Sequence, residues 1–194
     1  MPNWCYTQIK IEDKNVETFK KKIEEWTSHN YCENDFGNTW LGNVVGNSGI
    51  DNRDSREFSI SCRGSIMSME QTNDNTLIIH TETAWSPALK MWRVLLENYL
   101  PGASLTFVAE ECGMELYVTN DPSYVGNYII DTYDEDIIEY MDNVSESSLR
   151  EYLMDLLHTD ETNIEKLLQM KEESDLDDAF DVHKWEEVDP ADYE

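Results

Sequence analysis

The sequence has few basic residues and no long apolar run. Only 14 of its 194 residues are Lys or Arg, against 41 Asp or Glu, and the formal net charge is −27. Without a run of about 18 apolar residues or a basic, then apolar, N-terminal segment, we expect no membrane span and no signal peptide. Because a negative field repels nucleic-acid backbones and anionic membranes, we expect a cytoplasmic protein that binds neither directly.

The common motifs of catalysis and cofactor binding are also missing. The sequence contains no G-x-S-x-G, H-E-x-x-H, P-loop or G-x-G-x-x-G pattern, and its Ser, His and Asp residues suggest no triad. His29 and Cys32 lack the second ligand pair typical of zinc sites. The acidic run from Asp175 has Phe180 where a calcium-binding loop needs glycine. We therefore predict no enzyme activity, no metal and no cofactor.

Cysteine is sparse and widely spaced. No C-x-x-C pair occurs, and nothing else in the composition indicates a secreted disulfide scaffold. We predict free thiols, most of them buried. The four positions are Cys5, Cys32, Cys62 and Cys112.

The first 110 or so residues alternate between the apolar periodicities of strands and helices. The predicted strands cover residues 5–11, 58–63, 77–83 and 105–110, and the predicted helices cover residues 16–26 and 86–99. This β-α-β-β-α-β order is typical of the ferredoxin-like split βαβ fold, an antiparallel sheet with two helices on one face. We predict such an α+β domain over residues 1–130, with a long glycine-rich loop over residues 28–56 and added edge strands near residues 115–118 and 127–130.

The rest of the chain is predicted to be an acidic helical extension over residues 131–194. Residues 120–194 hold 24 acids and 4 bases, which places −20 of the net charge there. Apolar residues at helical spacing predict helices over residues 136–141, after a Ser145 cap, and after a capping box that begins at Thr162. Apolar residues become sparse from Ser174, so we expect flexibility near the end.

Three short segments resemble a known family. They are Met1-Pro2-Asn3-Trp4-Cys5, Thr83-Ala84-Trp85-Ser86-Pro87 and Glu111-Cys112-Gly113-Met114. In this order they resemble the YubB-type ferredoxin-like domains of plasmids and phages, whose function is unknown, and the match covers about residues 1–120. The resemblance implies a ferredoxin-like fold and a mobile-element setting, and it supplies no catalytic residues.

Carboxylates of the C-terminal part form the first candidate site. Duplex DNA carries one charge per ~1.7 Å, so about 20 carboxylates match the charge of about 34 Å of duplex. With the mobile-element setting, this predicts a non-enzymatic phage or plasmid protein that mimics DNA. Its partner would be a basic host protein that it inhibits or modulates, such as a nuclease or another defence factor. The competing interpretation is that the acids serve only solubility. The candidate residues are Asp131, Asp134, Glu135, Asp136, Glu139, Asp142, Glu172, Glu173, Asp175, Asp177, Asp178 and Asp181.

Tryptophans form the second candidate site. Trp4, Trp85 and Trp92, with Trp40 from the long loop, can line a cleft at one end of the sheet, although Trp in small α/β domains is more often core. A cleft would favour the alternative function, a small-ligand-binding or nucleotide-binding domain or an enzyme. RNA binding would instead use Tyr6 on an open sheet face, but it also needs a basic frame that this chain lacks.

Overall fold

The computed structural model describes residues 3–32, 36–50 and 60–192. The chain divides into two compact units, one formed by residues 1–120 and 188–194 and the other by residues 121–187. Five α-helices accompany strands whose pairing within each unit is antiparallel in the described residues. The predicted α+β class is confirmed. None of the described helices is long and apolar enough to cross a bilayer.

The first unit is built on an antiparallel sheet. Its strands are β1 (Trp4–Glu12), β2 (Gly64–Asn73), β3 (Thr76–Ala84), β4 (Ser104–Glu111) and β5 (Leu116–Thr119), and its helices are α1 (Val16–Trp26), α2 (Leu41–Ser48) and α3 (Leu89–Tyr99). Within this unit the strands lie in the order β2-β3-β1-β4-β5. The long strand β1 pairs with both β3 and β4, so it lies inside the sheet.

Alternation along β1 gives the sheet one buried face and one outer face. Cys5, Ile9 and Ile11 are fully buried or nearly so, whereas Tyr6, on the outer face, is 52% exposed. The buried face joins the apolar sides of α1, α2 and α3 in one hydrophobic core, in which Trp92 is fully buried. Because β1, β3, β4, α1 and α3 each bury one side, their apolar periodicity predicted them correctly.

The predicted second strand is wrong in position. β2 begins at Gly64, residues 60–63 lie before it, and Phe58 and Ser59 lie outside the described residues. β2 is the edge strand of the sheet, and most of its residues are exposed or half-buried. Its sequence therefore carries little of the apolar alternation that marks a strand with one buried face.

Helix α2 corrects the predicted loop over residues 28–56, part of which lies outside the described residues. A Cβ atom added at Gly42 would overlap the Trp40 ring, and one added at Gly46 would overlap the Tyr31 ring. The two glycines are one helical turn apart, and they allow aromatic rings to pack directly on the helix backbone. The glycines from which a loop was predicted thus lie in a helix, where they allow close packing.

The second unit combines a small sheet with two helices. Its elements are β6 (Tyr128–Thr132), β7 (Met141–Val144), α4 (Glu146–Leu156), α5 (Ile164–Glu172), β8 (Phe180–Lys184) and the two-residue strand β9 (Glu186–Glu187). The three-stranded sheet has the order β7-β6-β8. Ile130, Leu149, Leu153, Leu167 and Phe180 are fully buried in its own hydrophobic core.

Both helices of this unit begin with a side-chain cap. The predicted Ser145 cap is confirmed, since its Oγ accepts a hydrogen bond from the Ser148 N–H at 3.2 Å. Helix α5 is capped by Asn163, whose Oδ1 accepts from the Lys166 N–H at 3.0 Å. The capping box predicted from Thr162 is therefore wrong, because the helix is capped one residue later and its N3 residue is Lys166.

Several predictions for the C-terminal part are wrong. A turn follows Asp134, and Met141 begins β7, so residues 136–141 form no helix. Phe180, in the segment expected to be flexible, is fully buried in β8. The second unit begins at residue 121 rather than 131, because β6 pairs with both β7 and β8. The part predicted to be a helical extension thus contains a sheet.

Candidate functional site

The pairing of β6 with β8 brings together two acidic segments that are distant in the sequence. Asp131 of β6 lies opposite Asp181 of β8 in the antiparallel register. Immediately beyond, the N–H groups of Tyr133 and Asp134 both donate to the carbonyl oxygen of Ala179, at 2.8 and 3.1 Å. The acids that follow β6 therefore lie beside those that precede β8.

Most of the predicted contact residues face solvent. All twelve are described, and ten of them are exposed, while Asp131 and Asp181 are half-buried. We call these twelve carboxylates the acidic surface. Asp142 lies apart from the β6–β8 junction, because it belongs to β7 on the other side of β6, where its carboxylate accepts from the Tyr124 hydroxyl at 3.1 Å.

Basic side chains leave most of this charge uncompensated. Residues 121–187 contain 21 acids and 4 bases, a net charge of −17. Arg150 pairs with Glu146 at 2.7 Å and Lys166 with Glu161 at 3.2 Å, and Lys184 lies over the Tyr128 ring at 5.6 Å. Three of the four bases therefore engage groups outside the acidic surface.

The fourth base, Lys171, lies at the β6–β8 junction. It is 4% exposed, and its Nζ lies 3.0 Å from Oδ1 of Asp177 and 3.6 Å from Oδ1 of Asp181. The same Nζ lies 5.3 Å from the centroid of the Phe180 ring. A single buried ammonium thus ties the end of α5 to the acids around β8.

The three segments of the family resemblance meet at one end of the first sheet. The Trp85 N–H donates to the Asn3 carbonyl at 2.9 Å, and the Thr83 hydroxyl lies 3.4 Å from the Cys5 carbonyl. Burial, with a smaller effect of the nearby Glu111 carboxylate, raises the pKa of the Cys5 thiol to about 11. These segments therefore join the first and third strands and keep an uncharged thiol between them.

The structure separates the four predicted tryptophans. Trp92 belongs to the core, and Trp85 is 45% exposed with a φ of 75°. Trp4 and Trp40 line a cleft of about 720 Å³ in the first unit. The described residues that line it are Trp4, Phe36, Trp40, Ser61, Cys62, Arg63, Gly64 and Ser65.

Sequence reasoning missed the other residues of this cleft. Phe36 stands four residues before Trp40, a spacing that offered a signal for an aromatic pair. Arg63 was predicted to be the last residue of the second strand, with Ser65 beyond it, whereas β2 begins between them at Gly64. Of the residues that line the cleft, the sequence therefore predicted only Trp4 and Trp40.

The outer sheet face has carboxylates beside its exposed tyrosine. Tyr6 is exposed there as RNA binding would require, but a hydrogen bond to Glu82 raises the pKa of its hydroxyl. Glu110 lies opposite Tyr6 on the other neighbouring strand. Carboxylates flank the exposed ring on both sides, which opposes the approach of a phosphate backbone.

Neither thiols nor carboxylates form a metal centre in the part of the chain that the structure describes. No disulfide joins any two of the four cysteines. Only Cys5 is buried, whereas Cys32 and Cys112 are exposed and Cys62 is half-buried. The prediction that most of the thiols are buried is wrong.

No protein-family model, curated protein or solved structure matches the chain. The resemblance to the YubB-type domains stays a prediction carried by the three segments alone.

Proposed function

We propose that the acidic surface of the second unit binds a basic protein partner and thereby inhibits or modulates it. The observation that carries this proposal is the register of β6 and β8, which sets Asp131 opposite Asp181. Like charges directly opposite on neighbouring strands are destabilising by roughly 0.2–1 kcal/mol. Solubility alone requires acids on the surface, but it does not require this concentration at one strand pair.

The charge of the second unit suits a partner that normally binds nucleic acid. At ~1.7 Å per charge, a net charge of −17 corresponds to the charge of roughly 29 Å of duplex DNA. Basic channels that recognise nucleic acid through its backbone respond to charge and shape more than to base identity. The proposed partner is therefore a nuclease or another nucleic-acid-binding defence protein of the host. In this proposal the protein itself is a non-enzymatic DNA mimic of a phage or plasmid.

The first unit is proposed to be a ferredoxin-like domain of the YubB type. Supporting this is the order β2-β3-β1-β4 of its first four strands, with α1 following β1 and α3 following β3. Helix α2 and strand β5 would then be additions to that fold. In this proposal the first unit serves as the scaffold from which the acidic unit is displayed.

Capture from host lysate with charge-neutralised variants of the full chain tests the proposal. The test variant replaces four exposed acids of the acidic surface: Glu135→Gln, Asp136→Asn, Asp175→Asn and Asp178→Asn. A matched control makes the same change in net charge in the first unit: Glu25→Gln, Asp74→Asn, Glu97→Gln and Glu115→Gln. Both variants keep the shapes of the original side chains.

The unmodified chain and the control are expected to capture the same basic nucleic-acid-binding protein, and the test variant to lose it. Capture should weaken as salt rises, because exposed charges are screened. The proposal fails if the test variant captures the same partner as well as the control does, or if the captured partner carries no basic surface.

A further inference from the structure

Packing within the first unit fixes one wall of its cleft. The Ile66 N–H donates to the Thr39 carbonyl at 2.9 Å, and an isolated bridge pairs Trp40 with Ser65. The Trp40 ring also lies over Gly42, where no Cβ atom would fit. Backbone pairing on one side and a glycine on the other therefore hold this indole against the edge of β2.

A second aromatic ring continues this wall. The Phe36 and Trp40 centroids are 5.0 Å apart, with 35° between the ring planes. Phe36 is 68% exposed, and Trp4 on the other side of the cleft is 40% exposed. Large apolar surfaces exposed together beside a cavity mark a binding site more often than isolated exposed side chains do.

The floor of the cleft lies between an indole and a guanidinium. Trp4 lies opposite Ala84 across β1 and β3, and the Ala84 N–H donates to the Arg63 carbonyl at 2.9 Å. Neighbouring strands are ~4.8 Å apart, so the backbones at Trp4 and Arg63 are separated by roughly 10 Å. Ala84, whose side chain is a single methyl group, is the residue between them in the sheet.

Arg63 gives the cleft its charge preference. It is exposed, and among residues 3–32, 36–50 and 60–192 no carboxylate forms an ion pair with its guanidinium. A planar guanidinium is well suited to bind a carboxylate or phosphate through two hydrogen bonds.

We propose that this cleft binds a planar aromatic small molecule that carries one anionic group. The ring packs between the Trp4 and Trp40 indoles, the anion binds Arg63, and the Ser61 and Ser65 hydroxyls bind polar atoms at the ring edge. A volume of about 720 Å³ is within the usual range for small-molecule sites, roughly 300–1,000 Å³. A polynucleotide is disfavoured, since Glu82 and Glu110 flank Tyr6 on the same face. This inference is independent of the acidic surface.

Calorimetric titration of the full chain tests the inference with probes that separate the ring from the anion. Adenosine monophosphate and indole-3-acetate carry both, adenosine carries only the ring, and inorganic phosphate carries only the anion. At least one of the first two is expected to bind more tightly than adenosine or phosphate, and which one binds distinguishes a phosphate from a carboxylate ligand. No binding by either overturns the proposal, as does tighter binding of a single-stranded oligonucleotide.

Variants locate the site. Arg63→Gln is expected to weaken binding of the anionic probe about tenfold or more, because it removes charge-assisted hydrogen bonds, and to leave adenosine unaffected. Trp40→Leu should weaken both probes by about tenfold, the usual effect of losing one stacking partner. Lys14→Gln and Trp85→Leu are the matched controls, because neither residue lines the cleft. Equal losses in a variant and its control would contradict the assignment, and the exposed Arg63 provides a test even if Trp40→Leu does not fold.

Discussion

Asp131 and Asp181 lie directly opposite each other on neighbouring antiparallel strands. Nearby groups neutralise the charge of one of these carboxylates more than that of the other. Asp181 lies 3.6 Å from the Lys171 ammonium and accepts a hydrogen bond from the Tyr133 hydroxyl at 2.7 Å, whereas no described Lys or Arg forms an ion pair with Asp131. The fold thus keeps one carboxylate unneutralised beside another, at the junction that joins the two acidic segments.

Replacing Asp131 by Asn is expected to stabilise the protein while weakening partner binding. Removal of the like-charge pair should raise the free energy of unfolding by roughly 0.2–1 kcal/mol at neutral pH and low salt. Urea denaturation measures this change, and Asp131→Glu, which keeps the charge, serves as the control. A loss of stability in Asp131→Asn would show that this carboxylate serves the fold rather than recognition.

Lys171→Met is expected to have the opposite effect on stability. The ammonium is buried between Asp177 and Asp181, but Asp177 is largely exposed, so the loss should be below that of a fully buried pair, at about 1–3 kcal/mol. Adding Asp181→Asn should recover part of the lost stability, since it removes one of the two carboxylates that Lys171→Met leaves without an ion pair. Chemical denaturation of both variants measures the coupling, and strictly additive effects would contradict it.

The sequence predicted elements well where one side of each is buried. In β1, α1, β3, α3 and β4 the apolar residues recur with the period of the element, because these five contribute to one core. The two strands that were predicted wrongly or not at all have physical features that explain this. β2 is a mostly exposed edge strand, and β7 contains the exposed Asp142 and Asn143, so neither shows a clear apolar period.

Only part of each candidate site was within reach of sequence reasoning. The acids and the Trp4 and Trp40 pair were identified by residue type. The register that sets Asp131 against Asp181, and the one that places Arg63 beyond Ala84, depend on contacts between distant segments. Local periodicity contains no information about such pairings, so the arrangement of both sites became visible only in the fold.

Gly42→Ala tests the packing of Trp40 on α2. Alanine usually stabilises a helix by about 0.5–1 kcal/mol relative to glycine. Here the added methyl overlaps the Trp40 ring, so we expect a net loss of stability and a changed environment of that indole. Thermal unfolding and the indole N–H resonance of Trp40 measure the two effects. A stabilised protein with an unchanged Trp40 signal would contradict the packing.

Alkaline pH should destabilise the protein through Cys5. Burial raises the pKa of this thiol from 9.0 to about 11, so the folded state holds the proton more tightly than the unfolded state does. The corresponding stability is fully present below pH 9 and is lost as the pH rises towards 11. We expect Cys5→Ala to show a smaller fall in the free energy of unfolding over this interval. Equal falls in both proteins would contradict the assigned pKa.

The salt dependence of partner affinity tests the central claim most directly. Once the captured protein is purified, its dissociation constant should be measured over a range of salt concentrations for three full-length chains: the unmodified protein, the four-residue variant of the acidic surface and its first-unit control. The account predicts that affinity falls steeply with salt for the unmodified chain and the control. The acidic-surface variant should bind more weakly and with a shallower slope. Equal affinities and equal slopes for all three chains would contradict the claim that the acidic surface recognises the partner.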